Sequence, residues 1–375
     1  MMNIEIIKDI ISLIKSEENY SRDVLGGEEP QFSDKRYSSF PLSKNNVREF
    51  NLSDPSRKVT YIDGGNIELL SSPSVYLGLV RIYFNIFKNN KIIVPNNLSQ
   101  KFEFYVFGKA IGKGKDINFY FKLFPFSKDY GVDIEEADKI INSHDPTISN
   151  RNFRAELGSV CGVARRFLEW KISELIIQKE LEKGDILVRD GSLQTAITGE
   201  HNYSKKAYEA AAEKEVTFCG IAKRSRLYTS KGRSLPYAIR LLGNKMYPKK
   251  LWYYHPVAEI NHPDHNAEMY FVKFHPSSRY TFRFEIEKNR AKVLGREGVE
   301  EVLGTIASNS VDLRFPGYPY GLVDADYIAR IRGDEKETHK ALFLSLCDDE
   351  EILKFIDENI SVEDAHDVLD SLQWM

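Results

Sequence analysis

Two short stretches of the chain join an apolar, β-branched run to an aspartate followed by glycine: Val59-Thr-Tyr-Ile-Asp-Gly-Gly65 and Ile186-Leu-Val-Arg-Asp-Gly-Ser-Leu193. Each reads as a strand that delivers a carboxylate, Asp63 or Asp190, into a tight turn. Singly, Asp-Gly after a strand is a turn signal and nothing more. Two copies ask for more, because a carboxylate at the end of an apolar strand needs a cleft to solvate it, and a pair of carboxylates repel unless a cation offsets them. If the two strands run side by side in the same direction, both acids emerge at one sheet edge, where they could share a divalent cation.

A third acid is expected from the helix that precedes Asp190. Residues 150–181 carry Leu157, Val160, Cys161, Ala164, Leu168, Ile172, Leu175 and Ile176 on one stripe, and Glu182-Lys-Gly-Asp185 stops them. Five strand residues cover about 16 Å. An antiparallel helix rising about 1.5 Å per residue draws level with Asp190 roughly 11 residues before its end. Counting back from Leu181 lands by Glu169, with Glu174 as the alternative, and helical angle does not separate the two. A later stretch, Arg314-Phe-Pro-Gly-Tyr-Pro-Tyr-Gly-Leu-Val-Asp-Ala-Asp326, fixes the backbone with two prolines ahead of a helix whose first turns hold Asp324 and Asp326. Acids there complement the helix dipole, and they could also complete a cluster of three or four carboxylates around metal. Such a cluster holds one or two Mg²⁺ or Mn²⁺ ions, generates hydroxide from bound water and stabilises both oxygens of an in-line displacement at phosphorus.

Basic residues stand close by in sequence. Lys223, Arg224 and Arg226 follow the apolar run Val216–Ala222 and would set positive charge beside the acids, suited to a phosphate backbone. His262-Pro-Asp-His265 has no second ligand pair at zinc spacing, so zinc is not expected.

The elements that must position these residues read as follows. Residues 4–16 place isoleucines at helical spacing, either packed on the parent domain or free to dock a partner, and residues 20–57 read as an irregular polar connector. The segment Val75–Lys88 is apolar enough for a strand or a buried helix, and periodicity does not choose. Ile92–Val94, Phe102–Phe107 and Ile117–Leu123 read as strands, so an antiparallel meander is expected after the first one. Helices follow over residues 204–214, 298–308 and 322–332, with a hairpin pairing 269–274 and 280–286, and the aromatic-rich region 236–288 extends the sheet. One elaborated α/β domain is expected over residues 58–336. Residues 1–57 precede it as a helix and connector, and helical stretches over 337–375 pack on it.

The chain has 375 residues, 42% of them hydrophobic, enough for a substantial core. With 52 Lys and Arg against 55 Asp and Glu the net charge is −3, so any nucleic-acid surface must be a local patch. Three widely spaced cysteines offer no disulfide framework and fit a reducing compartment. Charges interrupt the N-terminal apolar residues, unlike a signal peptide, and no apolar run reaches the roughly 18 residues of a membrane span. A soluble, cytoplasmic protein is expected.

Taken in order, Tyr61-Ile-Asp-Gly64, the Arg-x-x-x-Glu of Arg165 to Glu169, Leu187-Val-Arg-Asp-Gly-Ser-Leu193, Gly220-Ile-Ala-Lys-Arg-Ser225, Phe282-Arg-Phe-Glu285 and Tyr318-Pro-Tyr-Gly-Leu-Val-Asp-Ala-Asp326 resemble the NurA nuclease family. The last block is the most specific, and Ala365-His-Asp-Val-Leu-Asp370 resembles a family C-terminal segment. The resemblance implies an RNase H-like core with a mixed β-sheet flanked by helices, elaborated by insertions and a helical C-terminal tail. It implies a Mn²⁺- or Mg²⁺-dependent DNA nuclease, a 5′-to-3′ exonuclease and single-strand endonuclease. A homodimer would work with the hexameric ATPase HerA in end resection, DNA repair or phage defence. Asp63, Glu169 and Asp190 match the metal-binding acids and Tyr318 the site tyrosine, while Asp326 falls where some members carry histidine. Lys223, Arg224, Arg226 and Arg314 are the expected DNA contacts. A catalytically weak DNA-binding adaptor of a ring ATPase is the alternative, and a small-substrate phosphatase a third.

Overall fold

The computed structural model describes residues 4–22, 27–114, 116–150, 153–347 and 349–354. In chain order the strands are β1 (Pro30–Gln31), β2 (Tyr37–Ser39), β3 (Val47–Glu49), β4 (Val59–Ser71), β5 (Val75–Lys88), β6 (Lys91–Ile93), β7 (Lys101–Lys113), β8 (Asp116–Pro125), β9 (Ile140–Asn142), β10 (Ile186–Asp190), β11 (Thr217–Ala222), β12 (Tyr228–Thr229), β13 (Trp252–Tyr254), β14 (Ala258–Ile260), β15 (Ala267–Lys273) and β16 (Phe282–Glu287). The helices are α1 (Ile4–Arg22), α2 (Ser159–Glu180), α3 (Glu200–Glu213), α4 (Leu235–Met246), α5 (Lys288–Ser308), α6 (Tyr320–Ala329) and α7 (Gly333–Ser345). The architecture is α/β, a large β-sheet flanked by helices. Among the described residues no helix is long and apolar enough to cross a membrane.

Contacts divide the chain into two compact units, each assembled from separated stretches. The first holds Met1–Arg57, Val188–Gln194 and Thr217–Tyr320, and the second holds Lys58–Leu187, Thr195–Val216 and Gly321–Met375. Strand β10 contributes residues to both.

In the second unit β4, β5, β7, β8 and β9 pair antiparallel in that order, the expected meander. Strand β5 resolves the ambiguity of Val75–Lys88, and its burial explains it. From Gly78 to Phe87 every residue is buried, so no exposed face interrupts the run and no period is visible. Helix α2 packs on β4, β5 and β7 and against α3. It begins at Ser159, nine residues after the expected start at Asn150, because Asn150 and Phe153 close a short β-bridge instead. Helix α7 is tied down by Arg81 of β5, whose guanidinium meets Glu103 at 2.7 Å and Glu335 at 2.6 Å.

In the first unit the order is β3, β13, β15, β16, β11, again antiparallel throughout. The supposed connector therefore corrects itself. Residues 20–57 contain three short strands, of which β3 pairs with β13, β2 with β14 and β1 with β12. Strands of two or three residues are too short for alternation to register in sequence. The region 236–288 likewise holds a helix, α4, whose Leu235, Ala238, Ile239 and Leu242 pack on Trp252, Tyr254 and Phe271. Pro236 in its first turn suits a helix start but also reads as a loop signal. Helix α5 starts at Lys288, ten residues before the expected start. Its Gly295, at φ 60°, breaks the helical geometry midway, so the glycines mark an interruption rather than an origin. In the tail, α7 starts at Gly333 and a further helical turn begins at Glu350, while Ala365–Asp370 lies outside the described residues.

Candidate metal centre

The second unit presents Asp63 partway along β4, which continues to Ser71 rather than ending at the acid. Its Oδ1 accepts the amide of Gly64 at 2.7 Å, which fixes the carboxylate against its own backbone. Gly64 is required by crowding. A Cβ there would lie 2.6 Å from Oε1 of Glu169 and 2.6 Å from Ile82. The same closeness sets Glu169 of α2, only 3% exposed, beside Gly64, the residue after Asp63. Arg165, one helical turn earlier, donates to Oε1 of Glu169 at 2.8 Å and to the Gly64 carbonyl at 3.1 Å, so a single guanidinium joins helix to strand. Glu174, the other helix acid considered, accepts from Gln178 and stands 3.4 Å from Lys171, both on its own helix.

Asp326 arrives from α6. Asp63 and Asp326 line one pocket of about 160 Å³ together with Gly64, Gly65 and Arg330. Arg330 pairs with Asp326 at 3.0 Å. The start of α6 is held by Asn85, fully buried on β5, which donates to the Gly321 carbonyl at 2.9 Å and to Asp324 at 2.8 Å. Asp324 thus serves the helix anchor, with the Tyr83 hydroxyl 3.4 Å away.

The first unit presents Asp190 in a different setting. Its Oδ1 accepts from the Tyr318 hydroxyl at 3.2 Å, and its Oδ2 lies 2.5 Å from Nζ of Lys223. Tyr318 is 1% exposed, stacked on Phe315 and packed on Phe282, so its hydroxyl is aimed by an aromatic cluster. The ammonium of Lys223 also sits 5.7 Å from the Tyr318 ring centre. The backbone after Asp190 is clamped: Gly191 donates to Ile221 at 2.8 Å, and a Cβ on Gly220 would come within 2.6 Å of the Gly191 carbonyl.

Sequence reasoning quoted Glu285 within a motif but gave it no role. This residue of β16 is fully buried and accepts the amide of Leu193 at 2.7 Å, closing the Asp190 turn from behind. Arg283 meets its Oε1 at 2.5 Å and His265 lies 3.1 Å from its Oε2. Burial alone would raise the Glu285 carboxyl. The Arg283 charge and His265 outweigh it and hold the group down at about 2. His265 also meets the Tyr37 hydroxyl at 3.0 Å. The signal available in sequence was Phe282-Arg-Phe-Glu285 itself, two charges inside an otherwise buried strand.

Arg224 and Arg226 extend from the turn after β11, beside Lys223. Arg314 stands apart, its side chain 76% exposed and paired with Asp312 at 2.7 Å.

Asp63, Asp190 and Asp326 are each partly buried, and each offers a carboxylate oxygen that could ligate a metal ion. Three carboxylates offer hard oxygen donors, the set that Mg²⁺ and Mn²⁺ prefer over zinc or copper. Residues 57–331 match the NurA domain, and the chain belongs to that family. None of the curated proteins compared matches the chain. Among solved structures, the NurA nuclease from Sulfolobus solfataricus is 14% identical with a TM-score of 0.48, covering 92% of this chain and 97% of that one. An A. aeolicus Argonaute is 11% identical with a TM-score of 0.31, over 74% of this chain and 29% of that one. The C-terminal lobe of a budding yeast Argonaute gives 9% and 0.24, over 72% and 46%.

Proposed function

We propose that this protein is a metal-dependent DNA nuclease that hydrolyses phosphodiester bonds, built on an RNase H-like core. The observation that carries the reading is membership of the NurA domain family, in a chain whose Asp63, Asp190 and Asp326 each offer a partly buried carboxylate. Glu169, buried beside Gly64, is proposed as a fourth acid of the centre. When bound, Mn²⁺ or Mg²⁺ supplies a hydroxide nucleophile near neutral pH and offsets charge developing on the phosphoryl oxygens.

The chain's own residues do the rest. Tyr318 orients Asp190 through its hydroxyl, and Lys223 offsets the charge of that carboxylate while standing within reach of an approaching phosphate. Arg165 holds Glu169 in place beside Gly64 by donating to its Oε1 and to the Gly64 carbonyl. Arg224, Arg226 and Arg314 contact the DNA backbone in this proposal, which charge-neutral recognition by the molecule as a whole could not provide. Family membership also supports action as a homodimer with a HerA-type hexameric ATPase, as a 5′-to-3′ exonuclease and single-strand endonuclease, in end resection, repair or phage defence in the cytoplasm.

The test is a metal-titrated cleavage assay on labelled single- and double-stranded DNA, with and without the ATPase. Asp63→Ala and Asp190→Ala should each reduce Mn²⁺-dependent cleavage at least about 10³-fold with unchanged circular dichroism, since catalysis of this kind is assembled from the ion and its ligands. Wild-type rates in either clean variant would remove the reading. A wild-type chain that binds DNA but never cleaves it, under any metal and with the ATPase present, would be the adaptor instead.

A further inference from the structure

A second concavity adjoins the Asp190 turn within the same unit. The turn after β11, the first turns of α4 and the tip of the β15–β16 hairpin enclose a cleft of about 390 Å³. Its lining contains lysine and arginine side chains and no aspartate or glutamate. Two of these cations have carboxylate partners, Lys223 on Asp190 and Arg283 on Glu285. Among the described residues Arg224, Arg226, Arg240 and Arg279 have none. Like charges gathered in one hollow repel, and this protein holds them there by design of its backbone. The Arg240 guanidinium donates to the Arg279 carbonyl and lies 5.2 Å from the Tyr237 ring centre. Burial, and after it the Arg240 charge, hold the nearby Lys273 ammonium below its usual range.

A second observation is independent of charge. The hydroxyls of Ser225 and Thr281, both in the lining, are buried and lack any hydrogen-bond partner among the described residues. A buried hydroxyl left unpaired costs about 1–3 kcal/mol. An oxyanion in the cleft would accept from both and from the planar guanidiniums at once, the geometry in which arginine binds phosphate best. Tyr280, 55% exposed at the cleft, offers a ring face on which a base could stack.

We propose that this cleft binds a second phosphate of the DNA strand, displaced along the chain from the phosphate that is cut. The proposal rests on the nuclease reading. Lys223 pairs with Asp190 and also lines the cleft, so the cleft adjoins the Asp190 carboxylate. The phosphate is either an internal phosphodiester or the terminal phosphate of the strand, and the two share this chemistry.

Fluorescence anisotropy in EDTA, where no cleavage occurs, separates the possibilities. Labelled single strands with a 5′-hydroxyl, a 5′-phosphate or a 3′-phosphate are titrated over a salt series against the wild type, Arg240→Ala/Arg279→Ala and Arg226→Ala. The double variant should bind roughly tenfold or more weakly, and its log K against log salt slope should fall by about 1.4, two contacts at about 0.7 each for single strands. Arg240→Lys, which keeps the charge, should recover the slope but not the full affinity. A deficit confined to one phosphorylated end assigns a terminal phosphate; an equal deficit on all three strands assigns an internal one. Wild-type affinity and slope in both alanine variants, or no binding of any strand by the wild type, overturns the cleft. If the wild type cleaves DNA with Mn²⁺ while the variants bind normally, the cleft fails alone. If binding is lost as expected but the wild type never cleaves, the nuclease reading fails and the cleft stands.

Discussion

Asp190 has two neutral or cationic donors on its two oxygens, whereas Asp63 is fixed by the adjacent amide of Gly64. The two acids are thus prepared differently. Lys223 stands where a metal ion would compete for Asp190, and Tyr318 holds the carboxylate in place whichever cation is present. Removing the phenolic hydroxyl should therefore loosen the carboxylate without unfolding the aromatic cluster around it. Tyr318→Phe is expected to lower kcat by roughly 10- to 100-fold, the scale of losing a positioned donor next to the chemistry. DNA affinity in EDTA should stay within about twofold. Single-turnover cleavage with the melting curve as control measures this, and an unchanged kcat would place Tyr318 in packing alone.

At the scale of elements, β16 deserves its place through one side chain. Glu285 links that strand to the Asp190 turn and is buried with Arg283 and His265 around it. Its folded-state carboxyl lies at about 2, below the ordinary value of 4.5, so the pair contributes stability that is complete above pH 4.5. That contribution is lost as the pH falls from about 4.5 towards 2. Glu285→Gln should cost about 3 kcal/mol at pH 7, because it leaves the Arg283 charge buried without its partner. The difference in unfolding free energy between variant and wild type should shrink across the window from pH 4.5 to 2, measured by urea denaturation. A pH-independent difference would show that the ionised carboxylate is not what stabilises the turn.

The same scale shows what was legible in sequence. Strand β10 was read to its correct ends because a glycine-containing stop and a glycine turn bracket five apolar and charged residues. Strand β4 was read too short. Gly64 and Gly65 signal a turn locally, but β5 pairs with them along its whole length and carries the strand on to Ser71. Strand β3 and helix α4 escaped for opposite reasons: one is three residues long, and the other begins with a proline inside an aromatic-rich region. Asp63 and Asp190 could be nominated because each ends an apolar run ahead of glycine, Glu169 by counting back along the helix, and Asp326 by its place in the first turns of a helix. The role of Glu285 could not be assigned, since it depends on the amide of Leu193, 92 residues away in sequence.

At the scale of the whole molecule, an ion that binds the folded chain and not the unfolded one stabilises the fold by mass action. Saturating Mn²⁺ should raise the unfolding free energy by about 2.7 kcal/mol at a hundredfold excess over Kd. Asp190→Asn should weaken that gain and lower the stability of the metal-free protein, since Lys223 loses the carboxylate charge it pairs with. Differential scanning fluorimetry over a Mn²⁺ series checks both directions; a metal-induced rise of equal size in the variant would mean that the ion binds elsewhere. The central claim, a divalent ion shared by Asp63 and Asp190 with Asp326 beside them, is tested most directly by anomalous diffraction from Mn²⁺-soaked crystals. An anomalous peak coordinated by both aspartates is the expected result. Carboxylates more than about 8 Å apart with no shared ion, against the roughly 4 Å separation of paired catalytic metals, would contradict it.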